Sequence, residues 1–93
     1  MIKVLLERTI KGKKVHEMVR LLRKLRVKAM QQPGYISGET LHAVEDPNDY
    51  LVISTWEGPA QWENWAKNPE RLQLQAELAN YEESPPKVRV YTY

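Results

Sequence analysis

The chain carries few side chains suited to chemistry. It has two histidines, His16 and His42, and no cysteine, which removes thiolate nucleophiles, thiolate metal sites and disulfides. Two histidines so far apart do not make the spaced cluster that a zinc site needs. His42 is the better candidate for a general base, because an imidazole titrates near neutrality and this one falls between Thr40 and Val44 on one face of an alternating segment. The other candidates are aromatic or polar. Trp56 and Trp65 can wall an apolar pocket that excludes water, and Asn64, next to Trp65, offers an amide to orient a polar group of a ligand. Arg71 and Tyr81 stand near the two ends of the helical segment that follows, where either can face a pocket mouth.

Taken as a site, His42, Asn64 and Trp65 would carry the chemistry, Trp56, Arg71 and Tyr81 would hold the substrate, and no residue would bind a metal. Each has a plain structural alternative: core tryptophans, a satisfied or exposed histidine, an exposed helical asparagine, surface arginine and tyrosine. No catalytic triad, phosphate-binding glycine loop or metal cluster can be drawn. Any reaction would therefore depend on pocket shape and a few ordinary polar groups.

The elements that must position these residues follow from periodicity. Ile2 to Ile10 alternates, with Val4 and Leu6 on one face and Leu5 and Glu7 on the other, as a strand does. After Gly12, Val15, Met18, Val19, Leu22, Leu25 and Ala29 recur at spacings of three and four, which predicts an amphipathic helix from Lys13 to about Gln31. Pro33-Gly34 stops it. Tyr35 to Val44 and Tyr50 to Glu57 read as strands joined by the turn-forming run Glu45-Asp46-Pro47-Asn48-Asp49, and Gly38 hints at a bulge or a close backbone approach. The second of these, YLVISTWE, is apolar enough for a central strand. Gly58-Pro59 opens a short helix bearing Trp62, Trp65 and Ala66; Asn68-Pro69-Glu70 opens another, with Leu72, Ala76 and Ala79 as its apolar stripe. Lys87 to Tyr93 alternates again as a final strand.

The order βαββαβ places helices on one face of an antiparallel sheet, an α+β layout of ferredoxin-like type. If the other face carries apolar groups such as Trp56 or Tyr50, it needs a second surface against it. A chain of 93 residues is expected to form one domain over residues 1–93, and at this size only about 60–65% of the unfolded surface is buried. Dimerisation is the natural source of more core. The N-terminal apolar stretch is too short for a signal peptide or membrane span, so a soluble, cytoplasmic protein is expected. Net charge is +2, with Lys11, Lys13, Lys14, Arg20, Arg23, Lys24, Arg26 and Lys28 in one segment. Such a cluster suits phosphate contacts, but the third strand lacks the Gly-aromatic stacking signature of ferredoxin-like RNA binders. The basic run reads instead as a solvated helix face, and no nucleic-acid partner is expected.

The segment PGYISGETLHAVEDPNDYLVISTWEGPAQWENWAKNPER resembles the antibiotic biosynthesis monooxygenase family: a Pro-Gly-Tyr opening after the first helix, a hairpin with an acidic turn, a strand ending in tryptophan, and a tryptophan-bearing helix. The likeness implies a dimeric α+β barrel in which two sheets face each other and each subunit keeps a pocket between sheet and helices. Family members include cofactor-independent oxygenases of phenols and quinols, and haem-degrading enzymes. In the haem branch the tryptophan matched by Trp65 is accompanied by an iron-binding histidine and a first-strand asparagine. Here those positions fall near Gln75 and at Glu7-Arg8, so haem degradation is not expected. The expectation is a homodimer with a mostly apolar pocket for a small aromatic ligand, acting as a cofactor-independent monooxygenase or as a binding protein on the same frame.

Overall fold

A computed structural model describes residues 1–12 and 15–93. Its elements are β1 (Ile2–Thr9), α1 (Val15–Met30), β2 (Tyr35–His42), β3 (Asp49–Trp56), α2 (Pro59–Ala66), α3 (Pro69–Leu78), a 3₁₀ turn (Ala79–Tyr81) and β4 (Lys87–Thr92). The predicted start of the first helix at Lys13 lies outside the described residues, as do Lys14 and the side chain of Val15. The strands form one antiparallel sheet in the order β2-β3-β1-β4, so the fold is α+β and ferredoxin-like. Among the described residues no helix is long and apolar enough to cross a membrane.

Strand alternation decides what the helices cover. In β1, Ile2, Val4, Leu6 and Arg8 are buried, and β3 sets Trp56, Ser54, Val52 and Tyr50 opposite them. On this face Met18, Leu21 and Leu25 of α1, Trp65 of α2 and Leu78 of α3 complete the core, each large apolar side chain worth about 1.5–3 kcal/mol when fully buried. Trp56 and Tyr50 therefore lie on the covered face, 0% and 6% exposed. That corrects their suggested place on the open side. The open face instead carries Leu5, Leu51 and Ile53, half-buried, with the exposed Leu41 and Tyr91 flanking them.

Two local readings also shift. The predicted α3 stripe of Leu72, Ala76 and Ala79 faces solvent, while Arg71 and Leu78 are buried and Leu74 and Gln75 partly so. Both stripes have helical spacing, and the polar bonds of Gln75 together with Leu78 select the second. In β2 the bulge falls between Tyr35 and Ser37, upstream of Gly38, and the strand ends at His42 instead of Val44. The bulge turns Tyr35 to the face of Trp56, its register partner. The basic side of α1 is solvated, as its spacing implied: Arg26 donates to the Gly38 carbonyl (2.9 Å) and Lys28 pairs with Glu70 (2.7 Å).

Candidate functional site

The chain folds a cavity of about 80 Å³ between the covered sheet face and the helices. Tyr35 begins its aromatic wall, meeting Trp56 edge to face at 5.4 Å. Gly38 allows this, because a Cβ there would stand 2.5 Å from the Tyr35 hydroxyl. Trp56 donates from Nε1 to Ser54 Oγ at 3.0 Å and meets the Trp62 ring at 5.9 Å. Trp62 and Trp65 are three apart on α2 and so share one side of the helix. Leu22, Leu25 and Ala29 of α1 form the opposite wall.

One part of the lining is cationic. Arg8 continues the buried face of β1 beyond Leu6, and its Nη1 donates to Glu82 Oε2 at 2.9 Å and to Gln75 Oε1 at 2.8 Å. Gln75 Nε2 in turn donates to Glu82 Oε1 at 2.8 Å. Both charged side chains of the pair are 1% exposed. Arg8 Nε–H is left without a hydrogen-bond partner. Arg71 is set by the start of α3, where Asn68 caps the helix, accepting from Glu70 N (2.8 Å) and Arg71 N (3.3 Å), with Pro69 in the first turn. Its guanidinium stacks over Trp62 at 5.3 Å and donates to the Ala66 carbonyl at 3.3 Å. Burial lowers the pKa of both arginines; Glu82 partly offsets this for Arg8, and the charge of Arg8 adds to it for Arg71. Arginine starts so high that both remain cations at neutral pH.

Trp56, Trp65 and Arg71 thus line one cavity. Arg71 is 9% exposed, which corrects its surface reading: the stripe that α3 buries includes it. His42, Asn64 and Tyr81 lie outside the lining. His42 is exposed at the end of β2, its ring 4.2 Å from Tyr50 and its Nδ1 3.3 Å from the Pro47 carbonyl. Asn64 is exposed on α2, about 100° around the helix from Trp65. Tyr81 donates its hydroxyl to Glu17 between the 3₁₀ turn and α1.

Among the lining residues missed from sequence are Arg8, Arg26, Tyr35 and Trp62. Trp62 was signalled by its spacing from Trp65, and Arg8 by sharing the parity of Val4 and Leu6. Tyr35 needed the bulge, which no spacing shows. Among the described residues no group of three or more His, Asp or Glu stands where it could hold a metal.

Comparison with known proteins adds the following. The family model "Antibiotic biosynthesis monooxygenase" matches residues 1–77. A crystal structure of an antibiotic biosynthesis monooxygenase superposes with a TM-score of 0.90 at 19% identity, covering 100% of this chain and 98% of that one. SnoaB, a cofactor-independent oxygenase from Streptomyces nogalater, gives 0.87 at 16% identity over 99% and 91% of the two chains. A conserved protein from Methanosarcina mazei Go1 gives 0.89 at 17% identity over 97% and 89%. At these identities the likeness is one of fold. Protein SchA of Streptomyces halstedii is 33% identical over 49 residues, which span 53% of this chain and 13% of that protein.

Proposed function

The chain belongs to the antibiotic biosynthesis monooxygenase family, and from that premise we propose that it is a cofactor-independent monooxygenase acting on a small aromatic substrate, a phenol or quinol, held in the cavity between sheet and helices. The observation that carries this reading is the wall of Tyr35, Trp56, Trp62 and Trp65, which offers ring faces and edges to a flat ligand while excluding water. A cavity of about 80 Å³ is smaller than the roughly 150 Å³ apolar cavity that takes up benzene. One ring or ring edge is therefore enclosed, and the remainder of a larger substrate protrudes.

In such a reaction the ionised substrate supplies the electrons. Dioxygen adds at the activated ring carbon, the O–O bond breaks, one oxygen stays as a carbonyl and the other leaves as water. The protein's part is to favour the ionised form, hold the ring and keep the site dry. Trp65 and Trp56 would hold the ring and Arg71 would face the ionised oxygen. His42 and Asn64 would act only if ligand binding brought them closer.

The second reading, binding without turnover, is favoured by one observation. The lining contains no histidine, and its carboxylate, Glu39, is exposed and pairs in register with Ile53 of the open face. The same proposal takes residues 1–93 as one domain in the cytoplasm, where a chain without cysteine is at home, and as a homodimer. The open face with Leu5, Leu51 and Ile53 supports the dimer, since a second sheet packed on it would bury that surface.

The test is oxygen uptake by the purified protein, without added cofactor, on a panel of hydroquinones and phenols, with His42→Ala alongside. Uptake above the spontaneous rate supports oxygenation, and its loss in the variant would make His42 the base. Tryptophan quenching without uptake supports the binding reading.

A further inference from the structure

Arginine carries five N–H donors in a planar fork, and buried donors are normally satisfied. In the cavity lining one such donor, Arg8 Nε–H, is not. The described residues contain two ion pairs, Arg8–Glu82 and Lys28–Glu70, so Arg71 lacks a carboxylate. It is nine-tenths buried, stacks over Trp62 and makes one long bond to a backbone carbonyl. Glu82 balances the charge of Arg8, yet Arg8 Nε–H is buried and unpartnered. The charge sum over Arg8, its partner Glu82 and Arg71 is one positive charge; the other charged groups of the lining, Arg26 and Glu39, are exposed and opposite in sign, and the rest is largely apolar and aromatic. An uncompensated buried cation is costly, and a planar anion entering the cavity would relieve that cost.

We propose that Arg71, backed by Arg8, forms an anion subsite in the cavity, so that the ligand is a single-ring aromatic, or one ring of a larger molecule, bearing an ionised oxygen acid. This deepens the function proposed above and rests on the cavity being the ligand site. The ring lies against Trp62 and Trp56, and the anionic oxygens take the free donors of the guanidinium in the bidentate geometry suited to it. A carboxylate and a phenolate share this chemistry. It also accounts for a lining without an inward-facing base: the ligand arrives ionised, or the cationic site ionises it.

Tryptophan quenching by benzoate and by its neutral isostere benzamide tests the subsite, and the absorbance of bound 4-nitrophenol below its solution pKa separates phenolate from carboxylate. We expect benzoate to bind wild-type protein about tenfold or more tighter than benzamide, the scale of one charge-assisted contact. A phenolate band on bound 4-nitrophenol without benzoate preference supports the subsite with phenolate as its ligand; benzoate preference without the band supports carboxylate. Arg71→Gln should abolish either effect while benzamide still binds, and Arg71→Lys should keep part of it. Equal affinity for benzoate and benzamide with no phenolate band would overturn the anion subsite and leave the aromatic cavity standing. No quenching by any of the three would overturn both. The wild-type comparison stands even if a variant fails to fold.

Discussion

Replacing Glu82 by alanine isolates Arg8, the most deeply buried charge among the described residues. The substitution removes the carboxylate 2.9 Å from Arg8 Nη1 and the acceptor of the 2.8 Å bond from Gln75. Arg8 is 2% exposed and its Nε–H is already unpartnered, so water cannot easily replace what is lost. Breaking one partner of such a pair costs about 3–5 kcal/mol, a large share of the roughly 5–15 kcal/mol that holds a domain together. At about 4–8 °C per kcal/mol for a chain of this size, the melting temperature falls by roughly 12 °C or more. Urea unfolding followed by tryptophan fluorescence measures it, at one fixed protein concentration so that self-association does not shift the midpoint. The exposed pair Lys28–Glu70, with side chains 44% and 62% exposed, is the internal contrast: Glu70→Ala costs less than about 1 kcal/mol. Replacing both buried partners, as Arg8→Met with Glu82→Leu, recovers much of the loss because no charge is stranded. An E82A cost near that of E70A, or a double variant no better than E82A, refutes the reasoning.

Trp62 is only partly buried while Trp65 is 3% exposed and belongs to the core, so Trp62→Ala should weaken aromatic ligand binding more than it lowers the melting temperature. Trp65→Ala should lower both, with a stability cost of about 3–5 kcal/mol; quenching titrations beside thermal melts show the split. Ile53→Lys on the open sheet face should convert the proposed dimer to monomer in sedimentation velocity while leaving far-UV circular dichroism unchanged, and a dimer that persists would place the contact elsewhere. Tyr81 is held above the ordinary tyrosine range by its hydrogen bond to Glu17 and by burial, and Tyr50 by burial. A raised acid of this kind contributes stability that is full below the unfolded-state value of about 10 and is lost as pH rises through the folded value. Ultraviolet titration should show late-ionising tyrosines, and Tyr81→Phe should remove one of them and flatten the alkaline loss.

Periodicity in the chain was enough to set the order of strands and helices, the stop at Pro33-Gly34, the cap at Asn68 and the grouping of Val4 with Leu6 on one face of β1, because each depends on neighbours a few residues away. The aromatic content of the pocket was half legible: Trp56 and Trp65 were read as pocket walls, although the sheet face that Trp56 takes was settled only by the helices packed over it. The remainder depended on distant partners. Arg71 read as a surface residue because helical spacing allows two stripes on α3, and the choice between them came from Gln75 meeting Arg8 and Glu82. Tyr35 entered the wall only through a bulge against β3. His42 and Tyr81 fell outside the cavity because the turn that ends β2 and the contact with Glu17 hold them elsewhere. The α+β scaffold and the supply of aromatics were legible in the chain, since these follow from short-range alternation and turn chemistry. That three arginines far apart in the chain, Arg8, Arg26 and Arg71, share one cavity came only with the folded chain, because long-range packing leaves no periodic trace.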